Sequence, residues 1–133
     1  MQQRHTYLRV KPGGDTSPQV ASNPDLFDFA VNRQFPIVAY SVLLGGAYSK
    51  PDRLIPSAYI GPDTDCRLAM LKTIATETGA TINQVIIAWM LQSDYPVIPL
   101  IAASDHAQLK ENLGALDRHL SADQMHRLDS ASA

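Results

Sequence analysis

Pro36-Ile37-Val38-Ala39-Tyr40 decides the fold. The run is almost wholly apolar, too short for a globular helix and without the alternation of a surface strand. That is the pattern of a parallel strand covered on both faces. Val97-Ile98-Pro99-Leu100-Ile101 repeats it downstream, and Gln2 to Val10 reads upstream as a third strand that starts in mid-pattern. A loop rich in Pro, Gly, Asp and Ser, Lys11 to Ser22, follows that strand. Asn23 can then cap a helix whose first position is Pro24, with Leu26, Phe27, Ala30 and Val31 on one face and an end near Gln34.

Between the second and third strands, Leu44 to Asp63 shows no sustained period and reads as a long loop, a place where function often resides. A helix from about Asp65 to Thr78 would bury Leu68, Leu71, Ile74 and Ala75, with Gly79 as its left-handed C-cap. Thr81 and Gln84 make a capping box for the next helix. It carries Val85, Ile86, Trp89 and Met90, is apolar nearly all round and should be buried until Asp94 and Pro96 stop it. After the third strand, Ser104 can cap a helix that places Leu109, Leu113 and Leu116 on one face. A last capping box, Ser121 with Gln124, opens a short helix carrying Met125 and Leu128. Strands alternating with helices give an α/β fold with three parallel strands and flanking helices. A sheet of that size leaves both hydrophobic edges unpaired, so the pattern reads as one partial domain, residues 1–133.

A chain of 133 residues, 45% of them hydrophobic, supports one core. A net charge of -2 and a pI near 6.0 leave no basic field for nucleic acid. The lone cysteine, Cys66, cannot close an intrachain disulfide. The longest apolar stretch, Val85 to Leu91, falls far short of the ~20 residues that span a bilayer. We therefore read a soluble, cytoplasmic protein with no membrane partner. His5, His106, His119 and His126 show no metal-ligand spacing, and no serine sits in a nucleophile-elbow pattern, so no metal site and no catalytic residue is assigned.

Gln2-Gln3-Arg4-His5-Thr6-Tyr7-Leu8, Val38 through Gly46, and Val97 through Ala115 together resemble the C-terminal half of aldo-keto reductases, from the sixth strand onward. The intervening stretches Ile74 to Gly79 and Gln84 to Leu91 are similar to that family's helical elements between its seventh and eighth strands. The resemblance implies the C-terminal part of a (β/α)8 TIM barrel, with its site at the C-terminal ends of the strands. Tyr40 matches the tyrosine that stacks on the nicotinamide, where a flat aromatic fixes which ring face offers hydride. Gln2 matches the glutamine that binds the carboxamide. Ser41, Val42, Leu43 and Gly45 match the loop around the pyrophosphate, with Val42 where the family usually has proline. The small Ala103 and then Ser104 lead into the cofactor-clasping helix, where Glu111 and Asn112 match the pair that binds the adenine amino group. Gln108 stands where an arginine usually meets the 2′-phosphate. The implied cofactor is thus NADPH, with NADH an alternative because Gln108 replaces the arginine.

The same resemblance puts the family's catalytic Asp-Tyr-Lys-His set in earlier strand units, so none of it maps onto this chain. It implies a cytoplasmic NAD(P)(H)-dependent oxidoreductase of small-molecule carbonyl and alcohol substrates as the parent protein. This chain would be a fragment with little or no activity of its own. The alternative is a stand-alone, non-catalytic half-barrel that binds a nucleotide or a partner and completes its sheet by oligomerisation. The sheet edge discriminates the two, since a fragment would pair with its missing N-terminal half and a stand-alone protein with itself.

Overall fold

The computed structural model describes residues 1–133. Three parallel strands, β1 (Gln2–Arg4), β2 (Ile37–Tyr40) and β3 (Val97–Pro99), lie side by side in chain order. Nothing reverses that order, so the sheet is singly wound, as in a barrel wall, and lacks the switch point of a doubly wound sheet. The register aligns Gln2 with Val38 and Val38 with Ile98, which puts Gln2, Arg4, Val38, Tyr40 and Ile98 on one face. Ile37, Ala39 and Val97 point the other way into the core, the first two fully buried.

Helix α1 (Pro24–Asn32) joins the first two strands, and Asn23 caps it by accepting the Leu26 N–H at 2.9 Å. Between β2 and β3 run α2 (Thr64–Thr78) and α3 (Ile82–Leu91), separated by Gly79 at φ 63°, a left-handed C-cap as its position predicts. Every residue of α3 from Gln84 to Met90 is buried, which accounts for its lack of a polar face. After β3 come α4 (His106–Leu113) and α5 (Ala122–Ser130), the latter opened by the Ser121–Gln124 capping box. No helix is long and apolar enough to cross a membrane.

The structure corrects several sequence expectations. The first strand stops at Arg4 because the backbone beyond it is satisfied by side chains: the Leu8 N–H donates to the Tyr48 hydroxyl at 3.0 Å, and the Tyr7 carbonyl accepts from Arg67. Segment 44–63 is packed structure with short 3-10 turns at Leu44–Gly46 and Ser57–Tyr59, and it buries Tyr48, Ala58 and Tyr59. Helix α2 buries Leu71 and Ile74 as anticipated, but also Arg67, while Leu68 and Ala75 are only half-buried. Leu109, Leu113 and Leu116 are exposed; α4 instead packs on α3 with Asn112 buried and with Glu111 accepting from Asn83 and Gln84. The strands are covered on one face only: Ile98 is 50% and Leu100 46% exposed.

Candidate functional site

The segments leaving β2 and β3 open on a cleft of about 330 Å³ at the C-terminal ends of those strands. One wall is the turn from Ser41 to Gly46, which must reverse the chain sharply. Ser41, Leu44, Gly45 and Gly46 all have positive φ, at 57°, 47°, 65° and 93°. Leucine is strained in that region, and the buried position of Leu44 holds it there. The value at Gly46 lies beyond the left-handed helical well and suits glycine alone.

The turn is anchored from beneath by a hydroxyl relay. Thr6 Oγ1 donates to the Val42 carbonyl at 2.6 Å, so the proton shared between Thr6 Oγ1 and Tyr48 at 2.7 Å comes from the tyrosine. The Tyr48 oxygen in turn accepts the Leu8 N–H. Burial pushes the Tyr48 phenol up from its ordinary pKa, which keeps it a neutral donor throughout the working range.

The opposite wall combines Leu100 to Ser104 with Gln108, Glu111 and Asn112 of α4. The cap of α4 is Asp105, one residue later than expected. Its Oδ1 accepts the Gln108 N–H at 2.9 Å, and Gln108 Oε1 returns to the Ser104 N–H at 3.1 Å. Asn83 closes the cleft between the walls, its Nδ2 donating to Ser49 Oγ at 3.3 Å and to Glu111 Oε1 at 3.4 Å. Beside it, Gln84 donates from Nε2 to the Glu111 carbonyl at 2.8 Å while its Oε1 accepts from Thr81 N–H at 3.1 Å. The first turn of α3 therefore fixes where Glu111 stands.

That arrangement fixes the sign of one substitution. Gly114 has ordinary helical angles, where alanine usually stabilises. A Cβ there would lie 2.6 Å from Gln84 Nε2, and the buried Gln84 is committed at both ends of its amide. Gly114→Ala is expected to destabilise the fold by about 1 kcal/mol net, the lost hydrogen bond and stranded donor outweighing the backbone gain. Chemical denaturation of the two proteins checks this, and a stabilised variant would show that Gln84 moves freely.

Of the residues anticipated from sequence, Ser41, Val42, Leu43, Gly45, Ala103, Ser104, Gln108, Glu111 and Asn112 all line this cleft. Gln2 and Tyr40 do not. They lie on the open face of the sheet, Gln2 exposed beside Val38 and Tyr40 half-buried beside Arg4. Gly46, at the end of the loop matched to the pyrophosphate, lines the cleft too, and Ser49, Lys50 and Asn83 line it without having been singled out. Lys50 follows the glycine turn closely enough to have been suspected, whereas nothing near Asn83 in sequence marks it. No group of three or more His, Cys, Asp or Glu side chains gathers where it could hold a metal ion.

Known proteins resemble the chain throughout. It is 33% identical over 78 residues to pyridoxine 4-dehydrogenase of Escherichia coli (strain K12), a match covering 59% of this chain and 27% of that protein. A thermostable aldo-keto reductase solved with the inhibitor epalrestat superposes with a TM-score of 0.62 at 30% identity, over 80% of this chain and 33% of the other. An aldo/keto reductase from Klebsiella pneumoniae, solved with NADP and acetate, gives a TM-score of 0.65 at 20% identity over 96% and 37% of the two chains. The chain thus spans about a third of the length of these solved relatives, and its three strands and flanking helices are part of a (β/α)8 barrel. The family model described as "Aldo/keto reductase family" matches residues 16–133, and the chain belongs to that family.

Proposed function

We propose that this chain is the dinucleotide-binding part of an NAD(P)(H)-dependent aldo-keto reductase that interconverts carbonyl and alcohol substrates. The observation that carries the reading is the cleft itself, in which segments distant in sequence meet at the strand ends where such barrels keep their sites. Its volume of about 330 Å³ is at the small end of ligand sites, roughly 300–1,000 Å³, and suits the adenosine and phosphate end of a dinucleotide. Glu111 and Asn112 would take the adenine amino group, and the turn from Ser41 to Gly46 would curl around the pyrophosphate with Lys50 beside it. The nicotinamide end would then lie across the open sheet face, with Tyr40 against the ring and Gln2 on the carboxamide.

When bound, the cofactor supplies or accepts the hydride. The residues of this chain hold and orient it, and proton transfer to the substrate oxygen falls to groups elsewhere in the parent protein. The chain alone would therefore turn over little or no substrate. The exposed Ile98 and Leu100 leave one face of the sheet to be covered, by further barrel units in a longer parent protein or, in the stand-alone half-barrel, by self-association.

Two measurements test this reading. The intact mass of the native product should be well above 14.5 kDa, near that of a barrel of roughly 250 residues. A stable product at 14.5 kDa would leave the half-barrel reading. Titration of the full-length product with NADH and NADPH should show saturable binding, weakened about tenfold or more by Glu111→Ala as one charge-assisted hydrogen bond is lost. Absence of binding to either dinucleotide overturns the assignment.

A further inference from the structure

We propose that Arg4 makes the parent enzyme selective for carbonyl substrates that carry a carboxylate, which its guanidinium would receive beside the nicotinamide. This selectivity rests on the cofactor reading above and names the substrate class that goes with it.

Arg4 is the last residue of β1 and pairs in register with Tyr40, the last residue of β2. Both stand on the open face of the sheet, on strands about 4.8 Å apart, at the C-terminal ends where barrels keep their chemistry. The pyrophosphate is not the partner of this cation. The cleft that would hold it lies at the ends of β2 and β3, whereas β1 flanks β2 on the other side and Arg4 is outside the cleft lining.

Nor does the chain itself supply a counter-charge. Arg4 is half-buried and makes no ion pair. Neutral groups hold it: Nε donates to the Tyr59 hydroxyl at 2.9 Å and Nη1 to Gln19 Oε1 at 3.1 Å, while Nη2 makes no hydrogen bond within the chain. Arg4 and Tyr59 both border a recess of about 960 Å³ beside β1, shared with two other arginines. Those two are committed, Arg9 to Asp63 at 3.3 Å and Arg67 to the Tyr7 and Ala131 carbonyls. The carboxylates in the same recess, Asp94 and Asp129, leave Arg4 unpaired, and Asp129 accepts instead from Trp89 Nε1 at 2.7 Å. A guanidinium so oriented, partly desolvated and uncompensated is suited to a ligand that brings the negative charge. A carboxylate is planar and can accept two N–H bonds from the fork, whereas an ester in its place keeps the outline and forfeits the charge.

The test compares para-carboxybenzaldehyde with its methyl ester as substrates of the full-length product, followed by the loss of reduced-nicotinamide absorbance. The parent should show a kcat/KM about tenfold or more higher for the carboxylate, the worth of one charge-assisted pair. Arg4→Gln should raise KM for the carboxylate by that factor relative to the ester, and Arg4→Lys, which keeps the charge without the fork, should retain part of the preference. A purely structural arginine would cost both substrates alike. The parent comparison needs no variant, so it decides even where Arg4→Gln fails to fold. A parent that treats the two alike, favours the ester or reduces neither overturns the proposal, as does a folded Arg4→Gln variant that keeps the parent's preference. Saturable binding of NADH or NADPH in the same sample leaves the cofactor reading standing in each of those cases, and its absence overturns both.

Discussion

Arg67→Met is expected to lower the melting temperature by roughly 10 °C, a loss of about 3 kcal/mol in a domain of this size. Arg67 is 2% exposed, yet no carboxylate pairs with it. Its guanidinium is satisfied by carbonyls: Nε and Nη2 donate to the Tyr7 oxygen at 3.1 and 2.8 Å, and Nη1 donates to Ala131 at 3.2 Å. It also lies 4.0 Å from the centroid of the Tyr7 ring. Burial lowers the Arg67 pKa from its ordinary value, but a guanidinium starts so high that it stays charged. The side chain thus ties α2 to the turn after β1 and to the chain beyond α5, two segments without a ladder to satisfy them. Methionine keeps much of the packing volume and none of the donors, leaving two buried carbonyls unpaired at about 1–3 kcal/mol each. Lysine should rescue only part of the loss, since one ammonium cannot reach both carbonyls as a planar fork does. Thermal unfolding monitored by circular dichroism decides the matter. A shift below about 3 °C would mean that water reaches those carbonyls.

Arg67 also marks where sequence reading stops. Helix ends were legible because their signals are local. Asn23, the Thr81–Gln84 and Ser121–Gln124 boxes, and Gly79 each act within a few residues of themselves. Strand β2 was legible because a continuous apolar run has few other homes. The partners of Arg67 lie about 60 residues away in either direction, and an arginine on a helix otherwise reads as a solvated charge. Asn83 is hidden for the same reason, its partners Ser49 and Glu111 being distant in sequence. The cap of α4 was missed although its signal was present. Ser104 and Asp105 are both good caps, and it is the Asp105 side chain that accepts the N–H of Gln108, three residues on.

The cleft was legible as chemistry and not as shape. The turn after β2 and the helix after β3 could be picked out as its two walls, yet nothing in either says that α3 spaces them. The relay from Leu8 through Tyr48 and Thr6 to Val42 is likewise tertiary, joining residues that sequence reading had assigned to a strand and a loop. The exposure of Leu109, Leu113 and Leu116 has the same physical origin as that of Ile98 and Leu100. Apolar periodicity reports which side chains favour burial, and within this chain no element covers those faces.

Acid should destabilise the fold well above the pH at which its carboxylates titrate, and His5→Phe should remove much of that sensitivity. The His5 imidazole sits among aromatic rings, 4.9 Å from Phe27 and 5.8 Å from Trp89 between centroids. Burial pushes its pKa down to about 4, from 6.5 for a free imidazole. Arg4, Arg9, Asp94, His126 and Asp129 share the surrounding recess, but the cause of the shift is desolvation. Above pH 6.5 the ring is neutral in both folded and unfolded chains and contributes nothing to the pH dependence. As the pH falls from 6.5 toward 4, the unfolded chain takes up a proton that the folded one excludes, so stability drops through that window. The cumulative loss approaches about 3 kcal/mol and saturates once the folded ring also titrates. Phenylalanine keeps a ring against Phe27 and Trp89 and has no proton to take. Urea midpoints of parent and variant at pH 7 and pH ~4.5 should therefore diverge, the parent losing the more. Parallel losses in the two proteins would show that the imidazole is hydrated where it sits.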